Sequence, residues 1–493
     1  MNISIIRYIL GHIIKLEGFL MLLPCLIALI FNEKEIFTYL AMSVVCILLG
    51  SLLTLKKAKD NVFYLKEGCI ATVLSWVLLS FFGALPFVIT DEIPHFTDAM
   101  FETVSGFTTT GASILSDVEA LSHASLFWRS FTHWIGGMGV LVFLLAIVPL
   151  SGGSNMNLMR AESPGPSVGK LVPKMRYTAR ILYIIYLTLT IIELVALLMV
   201  KMPWFDALCI SIGTAGTGGF GILNSSCAAY SVSAQWIITI FMILFSINFN
   251  AFYLILFGQI GNAVKMEEVR AFLLIVVTAI AFVTWDISQM FDSLFEALTY
   301  AAFQVASIIS STGFATTDFD LWPGFSKTIL VLLMFIGACA GSTGGGIKVS
   351  RFVIMGKSIK KELHSYIHPK SVKQIVMDGK EVDAGVIRSV GIYLITFFAI
   401  FVLSLLIVAL EEKDLVTNFT AVTTTLNNIG PGFSLIGPTQ NFGHFTDLSK
   451  WVFIFNMLAG RLELFPLLIL FHPSIWHELI VRPIRRKLRN KHF

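Results

Sequence analysis

Four short stretches of this chain carry residues suited to holding a dehydrated cation. The first is Ser105-Gly106-Phe107-Thr108-Thr109-Thr110-Gly111-Ala112-Ser113, lying between a short apolar segment and a long one. The others read Thr217-Gly218-Gly219-Phe220, Ser311-Thr312-Gly313-Phe314 and Asn428-Ile429-Gly430-Pro431. In such turns backbone carbonyls can line a narrow pore and replace the water around an ion, while Gly permits the strained backbone. One turn of this kind is a weak signal, and it is repetition that strengthens it. The anchor glycines Gly111, Gly219, Gly313 and Gly430 are 108, 94 and 117 residues apart. Twelve residues before each stand Ala99, Ala207, Ala301 and Asn418, every one inside a short, mostly apolar segment. Between the first and third copies Phe101 matches Phe303, Glu102 matches Gln304 and Ser105 matches Ser307. Four degenerate copies of one unit imply a pseudo-fourfold assembly around a central axis.

The elements that position these turns follow from composition. Of 493 residues 56% are hydrophobic and only 13% are charged, against about 25% charged in a soluble domain. The mean hydropathy is +0.81. This is the composition of an all-α polytopic membrane protein. A span needs about 20 apolar residues, and ten candidates are present: 3–30, 37–55, 68–90, 125–150, 179–200, 234–258, 270–286, 326–350, 386–410 and 449–471. Four moderately apolar segments, near 95–108, 203–216, 292–310 and 414–427, are too short to cross and read as re-entrant helices. Irregular backbone at membrane depth is tolerated where protein or a water-filled pore covers it. Each short helix would aim its partially negative C-terminal end at a central cavity. The expected organisation is an N-terminal helix pair over 1–67, then membrane–pore–membrane repeats over 68–178, 179–269, 270–385 and 386–493.

With both termini cytoplasmic, 26 of the 35 Lys and Arg residues fall on the cytoplasmic side, as the positive-inside rule requires. The opposite side carries acids such as Glu92, Asp286, Asp318 and Asp414. These could concentrate cations at a pore mouth or simply keep loops solvated. The six cysteines have no paired spacing and read as packing residues, with no disulfide framework and no zinc site. The first apolar stretch is too long for a signal-peptide core and is expected to stay attached as a helix.

Two further features point to control of a pore. Gly341-Ser342-Thr343-Gly344-Gly345-Gly346, with Gly337 before it, interrupts the span after the third turn. Each Gly costs a helix about 1 kcal/mol relative to Ala, so the helix breaks inside the membrane and the stretch can line the pore and move. It fits neither nucleotide-loop pattern, because Ile347 separates Gly346 from Lys348. Arg461 lies within the last span, where a charge is costly and usually functional. It could repel a cation beneath the fourth turn and hold the Gly-rich stretch through its carbonyls; the alternative is a structural ion pair with Glu463 or Glu193. Other signals carry less. His477-Glu478 lacks the second His of a zinc protease motif, His364 and His368 read as a solvated pair, and the basic tail Arg482 to Lys491 marks the inner leaflet rather than nucleic acid. Nothing suggests a catalytic triad or an acid–base carboxylate pair, so no enzyme is expected.

The motifs SGFTTTGAS, SSTGFATTDF, NNIGPGF, CAGSTGGGIK (Cys339 to Lys348) and the run Met457 to Pro466 closely resemble the Trk/Ktr/HKT superfamily of potassium transporters, bacterial TrkH type. The resemblance runs from about residue 68 to the C-terminus. It implies potassium uptake across the bacterial inner membrane, with potassium bound in the filter during transport and no organic cofactor. In the superfamily, Gly at all four anchors goes with potassium selectivity and Ser at the first with sodium permeation. A sodium-permeable or weakly selective relative is the alternative, because only Thr109-Thr110-Gly111 approaches the Thr-Val-Gly of potassium channels. The resemblance also implies a homodimer, a cytoplasmic RCK-type nucleotide-binding regulator of the TrkA kind, and a gate formed by the Gly-rich stretch and Arg461. Passive conduction is expected; proton-coupled symport stays open, since Glu102 or Glu193 could titrate.

Overall fold

Apolar runs of 19 to 29 residues become helices long enough to cross a bilayer. The structure, a computed structural model, describes residues 2–56, 64–139, 175–371 and 373–476. Among these, six helices meet the length and composition of a span, and a seventh does if one sharply bent pair is counted. The helix pair Ile3–Phe31 and Ile36–Thr54 comes first. Its members approach closely through Gly11, Gly18 and Gly50, where an added Cβ would meet the facing helix at 3.0 Å or less. Small residues are how helices pack tightly inside a membrane.

Four units of the same build follow, each with an outer helix, a short helix, a loop and an inner helix. The outer helices are Leu65–Ile89, Met175–Met199, Glu267–Ile287 and Ala384–Val408. The short helices Phe96–Phe107, Trp204–Gly216, Leu294–Ile309 and Leu415–Leu426 have 12, 13, 16 and 12 residues. At 1.5 Å per residue none reaches the ~30 Å of a bilayer core. Their polar side chains do not go to water: Thr103, Thr214 and Thr423 return a hydroxyl proton to the carbonyl four residues back. The polar content of the molecule is thus central, while Leu29, Leu52, Ile184, Leu274, Trp285 and Leu406 are exposed on its rim. This is the arrangement lipid demands.

Six expected spans are single helices or, for the first, one helix with a slight break at Met21; the inner helices are different. The inner helix of the first unit, His123–Gly137, stops after 15 residues, and residues 140–150 lie outside those described. In the second, Val232–Ser246 and Phe249–Leu256 meet at 93°, so 234–258 is a broken span. There the Ser246 hydroxyl back-bonds to Met242 O and Asn248 caps the next helix. The third runs Gly324–Ile336, then the Gly-rich stretch, then Val349–Ile367. The fourth, Asp447–Arg461, ends where Glu463 and Leu464 take left-handed backbone. All four inner helices therefore stop after 13 to 15 residues, a regularity that hydropathy alone hides.

The cysteines are buried and unbridged, and among the described residues no three His, Cys, Asp or Glu gather to hold a metal. Several of the acids singled out from the sequence are engaged as caps: Glu92 takes the Ser122 amide, Asp286 the Ser326 amide and Asp414 the Thr417 amide. The basic loop after the first unit, His477-Glu478 and the C-terminal tail fall outside the described residues.

Candidate cation pathway

Each short helix ends in the same way. Thr109, Thr217, Ser311 and Asn428 have φ of 56°, 52°, 59° and 56°, and the anchors Gly111, Gly219, Gly313 and Gly430 have 76°, 80°, 86° and 98°. The amides of Thr110, Gly218, Thr312 and Ile429 reach back five residues, to the carbonyls of Ser105, Gly213, Ser307 and Thr424, at 2.9 to 3.0 Å. This is the Schellman helix ending, which normally uses Gly as the left-handed residue. Here none of the four is Gly, at about 1–2 kcal/mol each. Strain of this kind persists only where the surrounding structure over-determines it, and here it recurs in four copies.

The four endings meet. A Cβ on Gly111 would overlap the carbonyl oxygen of Gly218; on Gly219, that of Thr312; on Gly313, that of Ile429. On Gly430 it would stand 2.8 Å from Thr110 O. In every case the obstructing atom is the carbonyl just before the next anchor, so the loops close into a ring in chain order. All four expected stretches, including Phe220, Phe314 and Pro431, are brought together around one axis.

Four side chains brace this ring, two of which, His133 and Arg129, did not stand out in the sequence. His133 is fully buried; its Nδ1–H reaches Gly106 O at 2.8 Å and its Nε2 accepts the Phe220 amide at 3.2 Å, tying the first short helix to the second loop. Arg129 is paired with Glu102 at 2.7 Å, lies over the Phe220 ring at 4.1 Å and donates to Gly221 O. Glu102 also accepts from Ser113 and from the Ile114 amide. It is a brace, already satisfied. Asn428 donates to Thr110 Oγ1 and to Met457 O, both at 2.9 Å, joining fourth loop to first. The missed signal was one His and one Arg on an apolar segment, which spacing alone cannot distinguish from core. Arg129→Met or Glu102→Gln alone should lower stability by about 3–5 kcal/mol by stranding a buried charge. The double variant should recover much of that, as read from thermal unfolding in detergent.

The Gly-rich stretch sits at the end of the ring where the chain leaves the short helices. The Gly346 amide donates to Asn427 O at 3.0 Å and the Gly345 amide to Ser311 Oγ, while Gly344 lies against Ser310 O. Gly341 O accepts the Phe249 amide, Ser342 Oγ closes onto Cys339 O, and the Thr343 amide reaches Phe245 O. Lys348 folds back to Gly344 O. Arg461 completes the assembly. Its guanidinium donates to Thr343 O at 2.8 Å and to Gly136 O and Gly137 O at 2.5 and 2.6 Å. It thereby fastens the stretch to the end of the inner helix His123–Gly137 of the first unit. Glu463, one suggested ion-pair partner, pairs with Arg351 instead, which also stacks 3.8 Å from Tyr393. His364 and His368 face each other at 4.8 Å on an exposed helix end.

Residues 35–478 match the family model TrkH, described as a cation transport protein. The chain belongs to the TrkH family. It is 35% identical to the Trk system potassium uptake protein TrkH of Salmonella typhimurium over 97% of this chain and all of that one. With the protein of that name from Vibrio parahaemolyticus the identity is 36%, covering 96% of this chain and 99% of the other. The crystal structure of the potassium transporter TrkH from Vibrio parahaemolyticus superposes with a TM-score of 0.86 at 33% identity, covering 97% of this chain and all of that one. The family is one of transporters, not of enzymes.

Proposed function

We propose that the chain is the potassium-translocating subunit of a Trk-type uptake system, conducting through the four-loop ring and gated by the Gly-rich stretch with Arg461. The carrying observation is the closed ring, in which four left-handed glycines each sit against the carbonyl preceding the next. Carbonyl oxygens packed this way offer a dehydrated cation ligands from four sides. The C-terminal ends of the four short helices add negative potential there. The gate reading is supported by the Arg461 hydrogen bonds that tie the stretch to the inner helix of the first unit. The potassium assignment draws on the names of the relatives.

The chain works in a bacterial inner membrane with both termini cytoplasmic, as the distribution of basic residues favours. It acts as a homodimer with one pore per protomer, under a cytoplasmic TrkA-like RCK regulator, since nothing in its sequence forms a nucleotide site. Passive conduction is the reading favoured here, because Glu102 is held by Arg129. The test is potassium flux into proteoliposomes holding the purified chain, with and without the regulator. Potassium influx exceeding sodium influx, enhanced by the regulator, is expected. Equal sodium and potassium flux would favour the weakly selective alternative, and proton influx in step with potassium would favour symport.

A further inference from the structure

At the start of the third outer helix, two adjacent carboxylates face different parts of the molecule. Glu268 is buried, 3% exposed. Its Oε1 accepts the Ala340 amide at 2.6 Å and the Ser350 amide at 3.2 Å, and its Oε2 the Asn248 side-chain amide at 3.4 Å. Ala340 and Ser350 flank the Gly-rich stretch, so one oxygen pins both of its ends together. Asn248 adds the break in the second inner helix. A carboxylate in so covered a place is tolerated only when donors surround it, and here two of the three donors are backbone amides on either side of the stretch.

Its neighbour Glu267 looks outward. The Glu267 amide donates to Asp378 Oδ1 at 2.7 Å, and Glu267 Oε1 accepts the Asp378 amide at 3.2 Å. Glu267 also pairs with Lys357, on the helix that leaves the Gly-rich stretch, and Lys357 reaches Val376 O. Asp378 belongs to a small hairpin, Val376–Met377 paired with Lys380–Glu381. Asp378 and Gly379 have φ of 54° and 76°, as a tight hairpin turn requires. The hairpin is exposed on the side of the molecule where the third and fourth units are joined. A path of direct bonds thus runs from an exposed turn to both ends of the stretch, through two consecutive residues on a helix that cannot stretch.

We propose that Glu268 is a positioning residue for the Gly-rich stretch, and that the Glu267–Asp378–Lys357 lock is the point at which the cytoplasmic side holds or releases it. This rests on the reading of that stretch as the gate. With the lock intact, the third outer helix, the hairpin and the helix Val349–Ile367 move as one body and the stretch stays pinned. Displacing the hairpin breaks three hydrogen bonds, two with Glu267 and one from Lys357, and leaves the Glu267–Lys357 pair without the hairpin that braces it, freeing the helix Val349–Ile367 to draw the stretch away from Arg461.

The test uses the full chain in proteoliposomes without regulator, with Asp378→Ala, Glu268→Gln and Arg461→Ala compared. Amide exchange is read over residues 337–350 alongside flux. Asp378→Ala changes an exposed turn and should fold normally. It should raise exchange in that segment and increase potassium flux by about threefold or more, with the potassium-to-sodium ratio unchanged because the ring is untouched. Glu268→Gln should do the same more strongly. Unchanged exchange and flux in Asp378→Ala, while Arg461→Ala leaks, would overturn the lock and leave the gate standing. If Arg461→Ala also conducts as the unaltered chain does, the gate reading fails and this proposal with it.

Discussion

Gly219→Ser should raise the sodium-to-potassium permeability ratio of the reconstituted protein far more than Gly430→Ser. Both glycines have positive φ, where an L-residue costs about 1–2 kcal/mol, so strain alone does not separate them. The surroundings do. A Cβ at Gly219 would overlap Thr312 O, and Gly111 and Gly313 are obstructed in the same way by Gly218 O and Ile429 O. At Gly430 the nearest atom is Thr110 O at 2.8 Å, a smaller overlap that displaces the neighbouring carbonyl less. Serine at the first three positions must push a carbonyl out of the ring, widening it and removing a ligand. Serine at Gly391, where a Cβ would meet nothing within 4 Å, serves as control. Reversal potentials under bi-ionic conditions would measure the order. Equal ratios across all four variants would mean that the ring does not select.

Arg461→Ala should make the pore conduct without its regulator. Hydrogen bonds from a charged group contribute about 1.5–3 kcal/mol each, and Arg461 makes three to backbone carbonyls. Losing even one of them shifts the closed population by about tenfold. Deleting Ala340 to Gly344 should also raise flux, and the two changes together should give less than the product, since they act on one barrier. Arg461→Lys separates the causes. Lysine keeps the charge but cannot span carbonyls of two units with a planar fork, so a leaky Lys variant is expected, and a tightly closed one would assign the block to repulsion. Flux that falls in both the Ala and deletion variants, with folding intact, would sink the gate.

Much of this arrangement was legible in the residues. The four glycines stood out by repetition, and Arg461 and the Gly-rich break because each violates a local rule, charge in lipid or glycine in a helix. Residues that obey local rules stayed hidden. His133 and Arg129 sit on an apolar helix that core packing would explain as well, and their role exists only because Gly106 O and Gly221 O arrive from elsewhere. The bend at Ile247 was also invisible. No glycine or proline marks it, and the break is made by Asn248 capping and by the Phe249 amide turning to Gly341 O. Glu268 lies just before the expected span 270–286, and its partners Ala340, Ser350 and Asn248 come from other units or distant segments.

The order in which the ring closes has a consequence for how the molecule is made. Neighbouring loops meet in chain sequence, but the last joint, Asn428 to Thr110, spans 318 residues. During synthesis the first loop must wait, strained and with one flank open, until the fourth unit has entered the membrane. Contacts this distant form late because their closure entropy comes first. A nascent chain halted before Leu415, where the fourth short helix begins, would hold three quarters of a pore with its seam unsealed. Such a fragment is a substrate for membrane quality control, not a weaker transporter.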